Sequence, residues 1–475
     1  MIQYPFLNDS REQIRQKKDF IAAKRQKRIG HNPYYYGRLM NSLKYIIPED
    51  SAVLNIGCST GYILNLLKPS RGVGVDASAE QIAIAREGYP ELTFFDEEPE
   101  ATNVDGIFDF ILISGVEDIL DIKAVLDSVR KNCGRHTRIV ISYYNYLWQP
   151  LVNIAEKLHL RIPQHVHNWF SSKDIENLLE LSNFELINTK SLILFPYFIP
   201  ILSWIMDRFL ARLPFFRMFA MSRLAVARMQ AEGGKDYSVS IVIPCRNEAG
   251  NIQQAVERIP ALGAHTEIIF CDDKSTDGTA DVVREMQKKY PEKDIKLVDG
   301  PGICKADNVW TGFDAATGDI LMILDADLTV IPEELPYFYD AIANGYGEFI
   351  NGSRLVYPMH EEAMRLFNIV GNKFFSVMFS YILDNPIKDT LCGTKVMWRD
   401  DFKNIKKLRG SWGIKDRWGD YELIFGAAKN HLKIIDLPVH YMERTYGETK
   451  MTNRIKNGVI MLRMSLISLL KIKFH

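Results

Sequence analysis

Between residues 51 and 144, short apolar runs alternate with stretches of helical periodicity; the runs are SAVLNIG, RGVGVD, ELTFF, FDFILIS and TRIVISYY. Near-continuous apolar runs of this length are expected of strands covered on both faces, so the pattern predicts a parallel sheet sandwiched by helices. A polar, basic helix over 10–28 and a second over 33–45 precede the sheet as a lid or cap. After Trp148 the rhythm loosens. NWFSSKDIENLLELSNFELINTKSL predicts a helix capped by Ser171 or Ser172 and then a further strand. The proline-interrupted apolar tract that follows is expected to lead into a helix ending near Gln230. A second alternation begins with SVSIVIP and runs through TEIIFCDD, DIKLVDG and DILMILDAD, with helices reaching Glu257, Tyr290 and Ala315. Between the two lies AEGGKDY, polar and glycine-bearing, which reads as a linker. The boundaries are then 1–232, a linker over 233–237, and 238–475, with both domains α/β.

Composition narrows the classes of partner. The 475 residues carry 58 Lys plus Arg against 59 Asp plus Glu, a net charge of −1, so no nucleic-acid partner is expected. The six cysteines form no CxxC pair, which suggests neither a zinc cluster nor a disulfide framework and favours a reducing compartment. The amino terminus lacks the continuous apolar core of a secretory signal. Two apolar tracts, 192–206 and 459–470, fall short of the roughly 20 apolar residues a bilayer-spanning helix needs. Pro196, Pro200 and Arg463 interrupt them, and Arg208, Arg212, Arg217, Lys456, Lys471 and Lys473 border them. Contact with a membrane surface is the reading taken, with core burial as its alternative.

VLNIGCSTGYIL places Asn55, Gly57, Cys58, Ser59, Thr60 and Gly61 between a predicted strand and a predicted helix. Glycines there allow a tight turn and close backbone approach, while the N–H groups of the helix can receive a ligand's negative or polar edge. RGVGVD ends the next strand on Asp76, a position suited to accepting from ribose hydroxyls. These segments resemble the class I S-adenosylmethionine-dependent methyltransferases over about residues 30–230. The resemblance implies a Rossmann-like fold in which Gly57 and Gly61 turn around the amino-acid part of the cofactor and Asp76 holds its ribose. It also puts Asp96 near the adenine and FDFILISGVEDIL on the reaction-facing wall. Two positions depart from the family pattern: Asn55 stands where an acid is usual, and Ser59 where the middle glycine is usual. His165, His167, Asn168 and Trp169 read as a structural or acceptor-pocket segment, with proton transfer by one histidine as the sharper alternative.

In the second half, SIVIPCRNEAGNI puts Pro244, Arg246, Asn247 and Glu248 after a strand, and TEIIFCDDKSTDGT puts Asp272 and Asp273 after another, with Asp277 and Gly278 at the entrance of a helix. DILMILDADL carries Asp325 and Asp327, which period two would place on one side of an extended segment. Paired carboxylates beside a nucleotide pocket suit a divalent cation and a diphosphate. With Asn351, Gly352, Ser353 and Arg354, with Asp389, Cys392, Gly393 and Thr394, and with RTYGETK from Arg444 to Lys450, these segments resemble inverting family 2 glycosyltransferases, particularly the polyprenyl-phosphate glycosyltransferases. That likeness covers roughly 238–475 and implies a GT-A-like fold. It implies that Asp272 or Asp273 contacts the nucleobase and that Pro244, Asn247 and Glu248 frame the nucleotide. Asp325 and Asp327 would hold Mg2+ or Mn2+ on the donor diphosphate, and Lys305 would assist at the donor. Arg444 and Lys450 would clamp phosphate, and Asp420, favoured over Glu422, would serve as base for a hydroxyl acceptor. An anionic phosphate acceptor needs no base.

The whole reads as a Rossmann-like methyltransferase domain followed by a GT-A-like nucleotide-sugar glycosyltransferase domain, a bifunctional transferase of bacterial glycan or lipid-linked glycan assembly. Its expected cofactors are S-adenosylmethionine and Mg2+ or Mn2+, its donor a nucleotide-sugar, and its acceptor polyprenyl phosphate or a glycan. It is expected in the cytoplasm, peripheral at the cytoplasmic face of a membrane, beside other glycan-assembly enzymes. A glycosyltransferase whose first domain only recognises glycan or acts as scaffold is the second reading.

Overall fold

The computed structural model describes residues 11–22, 32–157, 168–195, 198–231, 233–357, 366–413, 415–444, 446 and 454–474. The chain divides into two compact units, Met1–Gln230 with Phe474–His475, and Ala231–Lys473.

The first unit is built on β1 (Ala52–Ile56), β2 (Arg71–Asp76), β3 (Thr93–Asp96), β4 (Phe108–Ile113), β5 (Cys133–Tyr144), β6 (Phe184–Ile193) and β7 (Ser222–Met229), in the order β3-β2-β1-β4-β5-β7-β6. β1 to β5 lie where the apolar runs predict them and pair in parallel. Their residues alternate between two cores: Leu54 and Ile56 face one, Val53 the other, so both faces are covered. Residues 11–22 are helical, as is Pro33–Ile46, whose Asn32 cap accepts from Tyr35 N at 3.0 Å with Pro33 at the first helical position. Ser171 closes a capping box with Asp174 at the start of the Ser172–Leu181 helix.

One expectation fails in this unit. The helix expected to end near Gln230 is instead β7, antiparallel to both β5 and β6. Its sequence SRLAVARM is rich in helix formers, but Leu224, Ala225, Val226 and Ala227 are all fully buried and the backbone is paired on both sides, so tertiary context overrides propensity. The proline-interrupted tract 192–206 is divided between two elements. β6 ends at Ile193, and a separate helix, Leu202–Arg208, follows after Pro200.

The second unit holds β8 (Ser238–Cys245), β9 (His265–Asp272), β10 (Asp294–Asp299), β11 (Ile320–Ile323), β12 (Phe349–Ser353), β13 (Lys395–Trp398) and β14 (Ile434–Pro438), in the order β10-β9-β8-β11-β13-β12-β14. β8 to β11 are parallel, while β13 runs antiparallel to β11 and β12. Ile241 and Ile243 face one core and Val242 with Leu321 the other. Strand order reverses between β8 and β11, which opens a crevice at their carboxyl ends. Here a second expectation is corrected. β11 stops at Ile323, and Asp325 O accepts from Leu328 N at 3.1 Å with Leu328 at φ +52°, so Asp325 and Asp327 sit in a turn rather than on an extended segment. The tract 459–470 lies within the Arg454–Ser468 helix and its continuation Leu469–Lys473. Among the described residues no helix is long and apolar enough to cross a membrane.

Candidate functional site

In the first unit the turn after β1 meets the end of β4 where strand order reverses. Gly57, Ser59 and Gly61 all hold left-handed backbone, at φ +74°, +53° and +74°. A Cβ on Gly57 would lie 2.2 Å from Ser114 O, and one on Gly61 would lie 2.7 Å from the Phe94 ring, so only glycine fits either place. Ser59 accepts the strained conformation with its Oγ buried. Asn55 Oδ1 accepts from Ser114 Oγ at 3.0 Å, while Asn55 Nδ2, Ser59 Oγ and Gln81 Oε1 are buried without a partner among the described residues. Orphaned polar atoms around a glycine turn fit a polar, charged ligand such as S-adenosylmethionine.

Asp76, buried at the end of β2, accepts from Ser59 N at 3.0 Å, from Ser78 N at 3.1 Å and from Lys18 Nζ at 3.3 Å. Lys18 comes from the helix over 11–22, which is further tied down by Gln81 Nε2 donating to Lys18 O and by Asp19 accepting from Ser78 Oγ. A ribose bound to Asp76 would take the place of this lysine. Asp96 is exposed, 3.9 Å from Arg15. Asn168 Nδ2 donates to Val116 O at 3.1 Å, a structural tie to the loop after β4; His165 and His167 lie outside the described residues.

In the second unit the loops after β8, β9 and β11 converge. Pro244 lies within β8, opposite Cys271. Asn247, at φ +55°, donates through its backbone to Ser275 Oγ at 2.8 Å and accepts from Thr276 N at 2.8 Å. Glu248 N donates to Thr279 Oγ1 at 2.9 Å, and Asn251 Nδ2 donates to the Glu248 carboxylate at 2.8 Å. Asp273 accepts from Gly302 N at 2.6 Å and lies 3.6 Å from Arg246. Asp272 Oδ2 accepts from Ser275 N, whereas its Oδ1 is buried without a partner among the described residues and can take an N–H from a nucleobase edge.

Beside these loops is a cluster of alternating charge. Lys305, first residue of the Lys305–Ala315 helix, lies 2.5 Å from Asp325. Burial opposes charge on Lys305, but Asp325, Asp420 and Asp327 outweigh it and raise its pKa. Burial likewise opposes charge on Asp325, and Lys305, Arg354 and Lys395 outweigh it, holding the carboxyl below the usual carboxylate range. Arg444 Nη2 donates to Asp327 at 2.5 Å, its Nη1 is 4.0 Å from Glu248, and Asp327 also caps Thr329 N at 3.2 Å. Asp325 and Asp327 offer the hard oxygens that Mg2+ or Mn2+ takes. Among the described residues no three His, Cys, Asp or Glu converge.

The structure separates the two acidic residues of RWGDYELIF. Asp420, at the start of the Asp420–Lys429 helix, is 3.2 Å from the fully buried Lys395 and near Lys305. Glu422 accepts from Gly410 N at 2.9 Å and lies 4.0 Å from Arg409, in a cluster with Asp307 and Lys415; burial raises its pKa. Lys450 and Gly447 lie outside the described residues. Sequence reasoning singled out neither Lys18 nor Lys395. Nothing near Lys18 in the chain points to Asp76, and Lys395 carries its signal only as an uncompensated lysine in the apolar strand KVMW. It also left Arg354 and Asp389 without a partner assignment. They form a buried bidentate pair at 2.7 and 3.0 Å, joined by Asn372 at 2.7 Å.

Two family models match the chain, a methyltransferase domain over residues 12–189 and glycosyl transferase family 2 over residues 240–406. Over 120 residues the chain is 40% identical to a dolichol-phosphate mannosyltransferase of Pyrococcus furiosus, covering 25% of this chain and 33% of that protein. Over 112 residues it is 31% identical to an undecaprenyl-phosphate 4-deoxy-4-formamido-L-arabinose transferase of Edwardsiella ictaluri, covering 23% of this chain and 34% of that protein. The chain thus spans about a third of the length of these curated relatives. Among solved structures it is similar to a mannosyltransferase from Pyrobaculum calidifontis in complex with GDP-Man and Mn2+, at 18% identity and TM-score 0.35 over 49% of this chain and 64% of that one. It is similar also to a magnesium protoporphyrin IX methyltransferase from Synechocystis with bound SAH, at 13% identity and TM-score 0.34 over 46% of this chain and 99% of that one.

Proposed function

Because one chain carries a methyltransferase domain and a family 2 glycosyltransferase domain, the latter related to polyprenyl-phosphate sugar transferases, we propose that it is a bifunctional transferase of lipid-linked glycan assembly. The second unit transfers a sugar with inversion from a nucleotide-sugar to polyprenyl phosphate. The first transfers a methyl group from S-adenosylmethionine to an unidentified acceptor. The observation that carries the reading is the charge cluster at the carboxyl ends of the strands, where Asp325, Asp327, Lys305 and Arg444 meet, together with an Asp272 oxygen at the end of β9 that has no partner among the described residues.

In this reading Asp272 accepts from the nucleobase, and Pro244, Asn247 and Glu248 shape the loop around the nucleotide. Asp325 and Asp327 hold Mg2+ or Mn2+, which when bound neutralises charge on the departing nucleoside diphosphate. Lys305 and Arg444 each exchange a carboxylate for a donor phosphate oxygen, a partner suited to a cation. Lys395, anchored on Cys392 O, holds the Asp420 carboxylate in place. With a phosphate acceptor Asp420 orients the attacking group; with a glycan hydroxyl it takes the proton. Glu422 serves the fold through Gly410 and Arg409 rather than the donor. Lys450 is kept as a phosphate clamp by its place in RTYGETK. The lipid acceptor sets the location at a membrane surface on the cytoplasmic side. It is supported by exposed Val459, Leu466 and Leu470 on the carboxy-terminal helix and by exposed Val370, Phe374 and Val377 on Leu366–Leu383.

One observation favours a second reading, a glycosyltransferase whose first unit no longer binds cofactor: Lys18 already engages the ribose carboxylate Asp76. Titration with S-adenosylhomocysteine separates the two. Saturable binding lost in D76A supports the bifunctional enzyme, and no binding by folded protein leaves a single activity.

A further inference from the structure

In segment 194–221, which joins β6 to β7, two stretches, 198–205 and 213–219, expose apolar side chains. Ile201 is 76% exposed, Phe215 65%, Phe198 61% and Trp204 54%, with Phe216 and Phe219 also exposed. Soluble surfaces rarely concentrate aromatic and branched side chains in this way. The backbone beneath them is nonetheless well fixed. Asp207 accepts from Tyr34 Oη and, at 2.7 Å, from Leu194 N; Asn145 Nδ2 donates to Met218 O at 2.7 Å and Ala220 O at 3.0 Å; and Trp148 Nε1 donates to Phe219 O at 2.8 Å. Asn145 and Trp148 immediately precede the Gln149–Lys157 helix, where Leu151 and Ile154 are exposed as well.

Charge distinguishes what would cover this surface. Asp207 is the sole carboxylate in the sequence of 194–221, and it is buried at 1% exposure, whereas Arg208 and Arg217 stand among the apolar residues. A surface of aromatic and aliphatic side chains flanked by arginine, with its acid withdrawn into the fold, matches an anionic lipid interface. We propose that segment 194–221 is a membrane-docking element of the first unit, which inserts Phe198, Ile201, Trp204, Phe215 and Phe219 among the acyl chains of an anionic bilayer. The first unit thereby acquires an attachment of its own, and its acceptor belongs to molecules displayed at a bilayer surface. The assignment of the element rests on neither transferase reaction; the acceptor class rests on the methyltransferase reading.

Flotation of the full chain with vesicles of phosphatidylcholine, or of phosphatidylcholine mixed with phosphatidylglycerol, tests it. The wild type is expected to float with the mixed vesicles more than with the neutral ones. F198S/W204S/F215S/F219S, all at exposed positions, is expected to bind at least about tenfold more weakly, and R208E/R217E to lose the preference for anionic lipid. V459S/L462S/L466S, in the second unit, is expected to retain the part of the attachment that the first unit supplies. Near-ultraviolet circular dichroism confirms that each variant is folded. The proposal is overturned if the quadruple variant floats as well as the wild type, or if attachment is lost wholly in V459S/L462S/L466S. It is equally overturned if sedimentation shows that the quadruple change converts a dimer into a monomer while flotation is unchanged, which would give the surface to a second copy of the chain.

Discussion

Gly393 fixes the place of Asp325. A Cβ at Gly393 would lie 2.1 Å from Asp325 Oδ2, 2.7 Å from its Cγ and 2.9 Å from its Oδ1. Gly393 has no left-handed backbone, so alanine introduces no φ strain and the clash is the whole perturbation. To reach 3.4 Å, where contacts become ordinary, the carboxylate must retreat by about 1.3 Å. The clashing atoms end a short side chain held by Lys305 at 2.5 Å, so the fold can absorb the change by turning Asp325. The expected cost to stability lies at the low end for overpacking, about 1 kcal/mol. Turnover should suffer far more, because displacing a catalytic group by about 1 Å can cost about a hundredfold. G371A is the control: nothing lies within 4 Å of the added Cβ, inside the Leu366–Leu383 helix. It is expected to stabilise by about 0.5–1 kcal/mol with turnover unchanged. The assay pairs thermal denaturation with sugar transfer across a metal titration. G393A with turnover within about threefold of wild type and the same metal requirement would refute the placement of Asp325 in the donor site.

Other perturbations follow from single contacts. S59G removes a non-glycine left-handed residue at φ +53° whose Oγ is buried without a partner among the described residues; it should stabilise the first unit by about 1 kcal/mol in urea denaturation, and a loss of stability would contradict that strain. K18M removes the ammonium 3.3 Å from Asp76 Oδ1 and leaves Ser78 N on that oxygen, so a ribose hydroxyl meets one competing donor fewer; S-adenosylhomocysteine should bind roughly threefold or more tightly by calorimetry, and weaker binding would mean that Lys18 helps to hold the ligand. D389N leaves Arg354 buried without its counter-ion and should cost about 3–5 kcal/mol at neutral pH. Burial opposes charge on Asp389, but Arg354 outweighs it and depresses the pKa below the usual range. The pair's stabilisation is therefore full above the unfolded carboxylate pKa of about 4. It is lost as pH falls further through the folded value. Acid titration of stability should show this loss in wild type and not in D389N.

What the sequence made legible follows from what each signal depends on. Continuous apolar runs are a property of doubly covered strands, so β1 to β5 and β8 to β11 could be read from local sequence. β7 could not, because its strand state comes from pairing with β5 and β6 while its residues favour helix. Turns rich in Gly, Asp and Asn announced the loops around Gly57, Asn247 and Asp325, but their geometry did not follow from period two, since the chain bends after Ile323. Long-range ion pairs left no local trace: Lys18 meets Asp76 across 58 positions, and Arg444 meets Asp327 across 117. Sequence favoured Asp420 over Glu422 but left no trace of their surroundings, because two residues at the start of one helix turn to different neighbours, Lys395 and Gly410.

The most direct test of the account is transfer of labelled sugar from a panel of nucleotide-sugars to polyprenyl phosphate by the purified full chain, with Mg2+ or Mn2+ present or chelated, in wild type and D325N/D327N. The account predicts a lipid-linked sugar formed from at least one donor, abolished by chelation and by the double substitution while the protein remains folded. Undiminished, metal-independent transfer by D325N/D327N, or no transfer from any donor by folded wild type, would contradict it.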